Sequence, residues 1–288
     1  QIIQALAGHR VIWHNHYGFI ATGPHSLTQA YLAYSCAAIA CLIKYILQSL
    51  YVARQESLLP SHSQTLRQIF HAIGEPPQPI IPPLLNQKLV TAKQILTALD
   101  LAGKETVRLG LVDSFFGNIS VLSPDRNILY ISRSGAPLDQ LQNNIDPCAL
   151  DNTSCAGITA SSEFSAHRQV LLETGDRCLL HGHPPFTIIV SMFCSKFPAC
   201  PNAETCHIDC REDRDFYNIP IVGGEVGTGP HGLCHTLPPA MQKHPAVIVY
   251  GHGIFLRHSQ NFAEPINSMR RVEIAARNHI MQELRIAP

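Results

Sequence analysis

The stretch CLLHGHPPFTIIV, residues 178–190, decides how this chain is interpreted. It is a β-type run rich in Leu, Ile and Val, with His181 and His183 two residues apart inside it. Residues two apart on a strand point to the same side, with Cα atoms about 6.5 Å apart, so both imidazoles can reach one cation. A pair of His is as often structural as functional, so a metal site requires a third ligand.

The next β-rich run, residues 246–256, offers that ligand as His252 between two glycines. Small neighbours let a backbone and a ligand approach each other closely. Three neutral imidazoles that leave one coordination position open are typical of a catalytic zinc site rather than a structural one. The sequence therefore predicts that His181, His183 and His252 bind Zn²⁺ or another divalent cation.

Three polar motifs upstream are candidates for anion binding. Ser161-Ser162-Glu163 begins a predicted helix, residues 162–174, whose unpaired N–H groups and positive potential favour an anion and an ionised Glu163. The same residue types are common at ordinary helix starts. Two small polar turns, residues 117–120 (GNIS) and 132–135 (SRSG), could hold a phosphate with backbone amides, although each alone is only a turn.

The five motifs occur in a fixed order: G-N-x-S, S-x-S-G, S-S-E, H-x-H and H-G. In that order they resemble the class II aldolase/adducin family, in particular its L-fuculose-phosphate aldolase type, over about residues 88–286. The resemblance implies an α/β fold, a three-layer α/β/α sandwich around a mostly antiparallel central sheet. It also implies a homo-oligomer, usually a tetramer, with sites near subunit interfaces.

The resemblance assigns a role to each motif. The three His would bind the metal, and Glu163 would be the catalytic general acid/base beside it. The substrate's phosphate would be held by Gly117, Asn118, Ser134, Gly135, Ser161 and Ser162. The implied enzyme is a metal-dependent lyase of carbohydrate metabolism, which cleaves or forms a C–C bond in a small phosphorylated or acidic hydroxycarbonyl compound through a metal-bound enediolate.

Other functions stay open at this point. The same metal site could serve epimerisation, dehydration or decarboxylation. Glu163 favours the aldolases over the related pentulose-phosphate 4-epimerases, whose motif resembles S-S-D instead of S-S-E at this point. A non-catalytic, adducin-like scaffold is the alternative from another class. A scaffold, however, has no reason to keep buried imidazoles that converge on one point.

Two departures from the family pattern affect the site. Arg133 stands where the family usually has Pro, and it is either a cation for a more acidic substrate or a solvated side chain. The C-terminal residues 285–288 contain no Tyr of the kind that the sugar-phosphate aldolases use as a proton donor. The second proton donor is therefore unassigned.

A Cys-rich insert, about residues 194–235, separates the H-x-H from the third His. Its cysteines leave three possibilities open: plain thiols, disulfides, or a second metal or redox-sensing site. The spacing C-x5-C-x5-C-x3-C is longer than is usual for zinc or iron–sulfur sites. The second metal, if present, would be bound by Cys194, Cys200, Cys206 and Cys210.

The chain divides into three predicted parts. Residues 87–288 form the aldolase-like domain, and residues 58–86 form a Pro-rich linker. Residues 1–57 match the end of that domain when Tyr17-Gly18 is placed on His252-Gly253, an offset of 235. They are interpreted as the tail of a degenerate copy, or else as an unrelated strand–helix unit. Because Tyr17 replaces the ligand, such a copy would bind no metal.

Composition limits the function classes. The chain has 288 residues, with 21 basic and 21 acidic side chains, so the counterion release that drives non-specific nucleic-acid binding is not expected. It is 45% hydrophobic and only 15% charged, which favours extensive buried surface and oligomer interfaces. An apolar run at residues 26–43 is too rich in polar residues for a favoured membrane span. The first residues also show no pattern of a secretory signal, so a cytoplasmic, reducing setting is predicted.

Overall fold

The computed structural model describes residues 2–113, 115–151, 153, 158–210 and 212–286. Within them the strands are Val11–His14 (β1), Gly18–Ala21 (β2), Asn118–Leu122 (β3), Ile128–Ser132 (β4), Ile145–Ala149 (β5), Cys178–Gly182 (β6), Arg214–Phe216 (β7), Ile219–Val222 (β8), Ala246–Val249 (β9) and Gly253–His258 (β10). The α-helices are Ile2–Gly8 (α1), Leu27–Gln55 (α2), Pro60–Ile73 (α3), Ala92–Arg108 (α4), Phe164–Thr174 (α5), Pro185–Met192 (α6), Leu233–Lys243 (α7) and Ala263–Glu283 (α8).

The central sheet has eight strands in the order β5-β4-β3-β6-β10-β9-β8-β7. All neighbouring pairs are antiparallel except β8 and β9, which run parallel. Strands β1 and β2 form a separate two-stranded sheet. The predicted mostly antiparallel sheet is confirmed.

Helices cover both faces of this sheet, because consecutive strand residues point to opposite faces. Leu180 and Ile254 belong to a core cluster shared with α4, α6 and α8. Their neighbours Leu179 and Phe255 belong to a second cluster shared with α5 and α7. Both faces of the central strands are therefore buried, and the predicted three-layer α/β/α sandwich is confirmed.

The antiparallel pairing brings several strand ends to one end of the sheet. Asn118, the first residue of β3, pairs with His181 near the end of β6. Ile254, close to the start of β10, pairs with Gly182, the last residue of β6. Residues that lie just before β3, just after β6 and just before β10 are therefore neighbours in space, although they are far apart in sequence.

The β-rich run at residues 178–190 is only partly a strand. Strand β6 ends at Gly182, and α6 begins at Pro185, a residue type well suited to the first helical position. The buried carboxylate of Glu273 on α8 accepts hydrogen bonds from the backbone N–H groups of Phe186 and Thr187, at 2.9 and 2.8 Å. These bonds satisfy two donors that a helix start leaves unpaired, and they fix where α6 begins.

The predicted linker, residues 58–86, contains a helix. Helix α3 ends at Gly74, whose φ of +67° favours glycine. Its Leu66 and Phe70 are buried in the main core, and the Phe70 ring stacks on Phe186 at a centroid distance of 5.1 Å. The Pro-rich residues 74–82 form neither helix nor strand. The division of the chain into three parts stays a prediction.

The Cys-rich insert also contributes to the sheet. Residues 195–213 form no helix or strand where they are described, but β7 and β8 extend the sheet beyond β9. Helix α7 begins at Leu233, two residues before the predicted end of the insert. It packs against α5, on the face of the sheet opposite to α4, α6 and α8. The second half of the insert is therefore part of the layered domain.

Helix α2 is long and apolar enough to cross a membrane by length and composition, with a mean hydropathy of 1.7 over its most apolar 18 residues. A core helix can meet the same criteria. The C-terminal half of α2 packs into the main core, where Ile46 and Leu50 are almost fully buried. The N-terminal half is more exposed, and only 17% of the apolar window is buried.

Candidate metal and catalytic site

His181 is held rigidly at the centre of the sheet. Its ring stacks on the Phe255 ring with centroids 3.8 Å apart. Its Nδ1 lies 3.1 Å from the carbonyl oxygen of Ile254. A carbonyl can only accept a hydrogen bond, so Nδ1 carries the proton and Nε2 keeps its lone pair. This is the arrangement in which a histidine is oriented to bind a metal through Nε2.

The other two predicted ligands meet His181 at this point. His183 follows β6, and its backbone N–H donates to the carbonyl of Leu111 at 3.1 Å. Its Nε2 lies 2.9 Å from Nε2 of His181. His252 lies in the turn between β9 and β10, and the ligand atoms of the three His are all within 4.8 Å of one another. One cation can be reached by all three rings.

Glycines make this close approach possible. Gly251 has φ of +64°, a conformation that L side chains rarely adopt. A Cβ at Gly253 would lie 2.3 Å from the carbonyl oxygen of Gly182 and 3.0 Å from the His181 ring. Any other residue at position 253 would push β10 away from β6. The glycines beside His252 therefore allow its strand to lie against the H-x-H strand.

Two of the three imidazoles, His181 and His183, are in the protonation state that metal binding requires. Burial lowers the pKa of His181 to about 4 and lowers the pKa of His183 well below its usual value. These two rings are therefore neutral at pH 7, with a lone pair available for a cation. The donor set thus fits Zn²⁺, and three protein ligands would leave a position for water or substrate.

Glu163 lies against the same three rings. Its Oε1 is 3.1 Å from Nε2 of His252, and its Oε2 is 3.6 Å from Nε2 of His181. The side-chain amide of Asn118 donates to Oε2 at 2.8 Å. Burial alone would raise the pKa of Glu163, but His181, His252 and Asn118 together lower it below the ordinary value. The carboxylate is therefore ionised at neutral pH.

The helix start contributes less to this ionisation than the sequence predicted. Glu163 is the N-cap residue of α5, but its side chain makes no capping hydrogen bond. Its charge is instead stabilised by groups from β3, β6 and the β9–β10 turn. Ser161 lies beside it and accepts a hydrogen bond from the Glu163 backbone N–H at 3.3 Å.

The predicted phosphate residues share one end of the sheet but differ in exposure. Asn118 and Ser161 are buried beside Glu163, and a Cβ at Gly117 would lie 2.5 Å from the His181 carbonyl oxygen. Ser134, Gly135 and Ser162 are exposed. The Ser134 backbone N–H donates to the carbonyl of residue 159 at 3.0 Å, which places the S-x-S-G turn next to the S-S-E segment. The exposed members leave room for an anion.

Arg133 is not a free cation. Its Nε donates to Oδ1 of the buried Asp146 at 2.6 Å. Thr159 donates to the other carboxylate oxygen, so Asp146 ties together the two segments beside the phosphate turn. Neither interpretation from the sequence, a cation for a more acidic substrate or a solvated side chain, included this ion pair with a buried carboxylate.

Residues 98–280 match the family of the class II aldolase and adducin N-terminal domain. The chain belongs to this family. No protein matches in a search of curated sequences. The match covers the three His, Glu163 and the predicted phosphate residues, whereas helices α1 to α3 lie outside it.

Solved structures of family proteins share this fold. An l-fuculose-1-phosphate aldolase from Thermus thermophilus aligns with a TM-score of 0.51 at 21% identity, over 66% of this chain and 95% of that one. YgbL from Klebsiella pneumoniae, whose description leaves open aldolase, epimerase and decarboxylase activity, aligns with a TM-score of 0.51 at 22% identity, over 66% and 90%. At these identities the likeness establishes the fold alone.

Two polar residues near the class II aldolase site have no assigned role from the sequence. His167 is fully buried, and its Nδ1 lies 2.7 Å from Oγ of Ser120. The sequence signal that could have pointed to His167 is its position four residues after Glu163. Asp113 lines a cavity together with His183 and His252. It precedes the G-N-x-S motif, but nothing in its spacing points to the metal ligands.

The structure gives no support to a second metal in the Cys-rich insert. Among the described residues, the three His are the only group of three or more His, Cys, Asp or Glu ligand atoms that lie within 4.8 Å of one another. The four cysteines proposed as ligands are free, as are the other described cysteines. Of the three interpretations of Cys194, Cys200, Cys206 and Cys210, plain thiols agree best with this arrangement.

Proposed function

We propose that this class II aldolase family member is a metal-dependent lyase that acts on a small phosphorylated hydroxycarbonyl compound. The observation that supports this most strongly is the convergence of His181, His183 and His252 within 4.8 Å of one another, with a Glu163 oxygen 3.1 Å from His252. A binding scaffold would not need an ionised carboxylate buried against His252 and two neutral imidazoles. An enzyme that moves a proton beside a cation does need one.

The three His would bind the cation, with Zn²⁺ as our first candidate. When bound, it supplies a Lewis acid that stabilises the negative charge left on the substrate when the C–C bond breaks. Glu163 moves the proton on or off the neighbouring carbon, because it is ionised and lies beside the cation's ligands. Asn118 holds Oε2 of Glu163 and so orients the carboxylate.

The anionic end of the substrate is assigned to the turns that precede β3 and follow β4. Ser134 and Ser162 are exposed, so their hydroxyl groups can donate hydrogen bonds to an anion. Gly135, with φ of +69° and open space around it, allows an anion to approach the backbone closely. A phosphate held there would place the hydroxyketone of a three-carbon compound near Glu163.

The experiment is proton exchange on dihydroxyacetone phosphate in D₂O, followed by NMR, with the metal content measured after dialysis. We expect the Zn²⁺-loaded wild type to exchange one proton at the hydroxymethyl carbon. Glu163→Gln should keep the metal but lose at least about 100-fold in exchange rate, since general-base catalysis contributes about 10²–10⁴-fold. Loss of exchange with retained metal would separate proton transfer from metal binding.

Glu173→Gln is the matched control, because it makes the same chemical change at an exposed position of the same helix. It should exchange at the wild-type rate. Continued proton exchange in Glu163→Gln would show that Glu163 is not the group that transfers the proton. A wild type that binds metal but neither exchanges protons nor cleaves any hydroxyketone phosphate would contradict the lyase itself.

Product analysis distinguishes the lyase from other reactions of the same site. Epimerisation, dehydration and decarboxylation would also use the metal and Glu163, but only a lyase releases an aldehyde fragment. The cytoplasmic location and the homo-oligomeric assembly inferred from composition and resemblance stay predictions.

A further inference from the structure

The cavity beside the metal ligands is closed on one side by helix α2. It has a volume of about 410 Å³ and is lined by His183, His252 and one face of α2. The lining positions of α2 are spaced i, i+3, i+4 and i+7, so they form a single stripe of the helix. They are Cys36, Ile39, Ala40 and Ile43.

This wall lies outside the region that matches the family. The match begins at residue 98, whereas α2 ends at Gln55. The wall is nevertheless fixed to the domain. The Tyr51 hydroxyl donates to the Met192 carbonyl at 3.2 Å, and Nη1 of Arg54 donates to the Cys194 carbonyl at 3.0 Å. The apolar stripe is therefore a built part of this site rather than a loose segment.

Asp113 adds a negative charge to the same cavity. Its Oδ2 accepts a hydrogen bond from Ser35 on α2, and the Tyr31 side chain also interacts with its carboxylate. Its Oδ1 is buried and has no hydrogen-bond partner among the described residues. A phosphate or carboxylate in this cavity would meet an apolar wall and a like charge, and both disfavour it.

The anion-binding turns lie elsewhere. None of the residues assigned to the phosphate lines this cavity, although all of them share the metal's end of the sheet. The two regions therefore differ in character: the phosphate turns carry exposed hydroxyl groups, whereas the cavity is apolar with one carboxylate. A substrate that bridges the cation would place its charged end at the turns and its uncharged end in the cavity.

We propose that the α2 stripe and Asp113 form the subsite for the uncharged, largely aliphatic half of the substrate, the half released as the aldehyde. This inference rests on the proposed function, since it assumes a substrate bound to the cation. Helix α2 then selects the aldehyde by size and polarity. The domain that matches the family supplies the three metal ligands, the general base Glu163 and the anion site.

Alkyl hydroxamates provide a test that needs no turnover, because they bind a cation through two oxygens and extend a tail. Their affinities for the Zn²⁺-loaded full chain are measured by calorimetry. A fully buried methylene strengthens binding about fourfold, so we expect hexanohydroxamate to bind at least about tenfold tighter than acetohydroxamate. Succinyl monohydroxamate, with its anionic tail, should bind no tighter than acetohydroxamate.

Two variants locate the tail. Ile39→Asn should abolish the tenfold gain of hexanohydroxamate and leave acetohydroxamate within about twofold of wild type. Ala40→Phe, at an exposed position of the helix, fills the cavity and should do the same. Cys41→Asn is the control, since Cys41 is exposed on α2 but does not line the cavity. It should keep the full gain.

The outcomes separate this inference from the proposed function. No binding of acetohydroxamate to the loaded wild type would overturn the metal site, and the subsite with it. Binding of acetohydroxamate with no gain for hexanohydroxamate would overturn the subsite alone. A gain that survives both Ile39→Asn and Ala40→Phe, or a tighter fit for the anionic tail, would also overturn it.

Discussion

Two regions of this protein have the same local structure but different surroundings. Adding 235 to the residue numbers of β1 and β2 gives 246–249 and 253–256, which match β9 and the paired part of β10. The pairing register is also the same, since Gly18 pairs with His14 and Gly253 with Val249. Each hairpin is followed by a long helix. This shared register supports the predicted internal repeat.

The strands beside each hairpin determine which of the two can form a metal site. Strand β10 pairs with β9 on one side and with β6 on the other, whereas β2 pairs, among the described residues, only with β1. His252 therefore lies against the H-x-H strand, while its counterpart Tyr17 is 73% exposed. The C-terminal hairpin supplies only one of the three predicted ligands, His252. The metal site requires the neighbouring strand β6.

The largest expected effect comes from exchanging the residues at these equivalent positions. His252→Tyr gives the C-terminal hairpin the residue of the N-terminal one, and it should reduce bound metal after dialysis from one ion per chain to none. His183→Ala should do the same and leave the domain folded. Metal analysis by mass spectrometry together with circular dichroism measures both.

Tyr17→His is the reciprocal change and should not create a second site, because no strand in the described part of the chain places an H-x-H motif beside β2. The chain should keep one ion. A second ion in Tyr17→His would show that a hairpin suffices, and a retained ion in His252→Tyr would remove His252 from the ligand set.

A second comparison concerns packing at equivalent positions of the two hairpins. Ile254 is fully buried, and Ile254→Ala should lower the free energy of unfolding by about 2–5 kcal/mol, the usual cost of such a truncation in a core. Phe19 stands at the matching position but is only half-buried, so Phe19→Ala should cost about 1 kcal/mol or less. Urea unfolding of the metal-free chain measures both. Equal losses would mean that the N-terminal hairpin is as firmly packed as the sheet.

Acidification provides a third contrast, between a buried and an exposed histidine. Burial lowers the pKa of His167 to about 3, so the unfolded chain takes up the proton first as the pH falls below about 6.5. Stability is therefore complete above that pH and is lost on acidification towards pH 3. Between pH 7 and 4.5 this group should contribute a loss of about 2 kcal/mol.

His167→Gln should reduce that acid-induced loss, whereas His16→Gln, in the exposed turn of the N-terminal hairpin, should leave it unchanged. Urea unfolding at the two pH values makes the comparison. If His167→Gln loses as much stability as wild type on acidification, proton uptake at His167 does not contribute to acid unfolding.

Local patterns made much of the fold and site predictable. Three features depend only on residues close together in the sequence. They are the period of two in the H-x-H motif, the turn before Gly18 and the N-cap Ser26 of α2. The N-terminal hairpin and the start of α2 are therefore determined by residues close to them in the sequence. The three ligands could be named because each lies in a short motif, and the family resemblance supplied their order.

Contacts between distant segments were not predictable. Helix α6 replaces the expected strand because Glu273, 87 residues from Phe186, satisfies its first N–H groups. Helix α3 docks through Phe70 on Phe186, and Arg133 is neutralised by Asp146. No local spacing indicates such partners. For the same reason, the sequence does not predict that α2 lines the cavity. The apolar stripe of α2 can be recognised in the sequence, but the segment that it packs against cannot.

The smallest expected effect tests how each long helix begins. Ser26 Oγ accepts a hydrogen bond from the Gln29 backbone N–H at 3.2 Å, and residues 24–28 are exposed, so this cap is the main restraint on the first turn of α2. Ser26→Ala should cost about 1 kcal/mol and speed amide exchange there. Asn261, at the equivalent position, precedes the buried Phe262, and α8 has no side-chain cap. Asn261→Ala should therefore leave amide exchange in the first turn of α8 unchanged, and equal acceleration in both helices would mean that burial does not replace the cap.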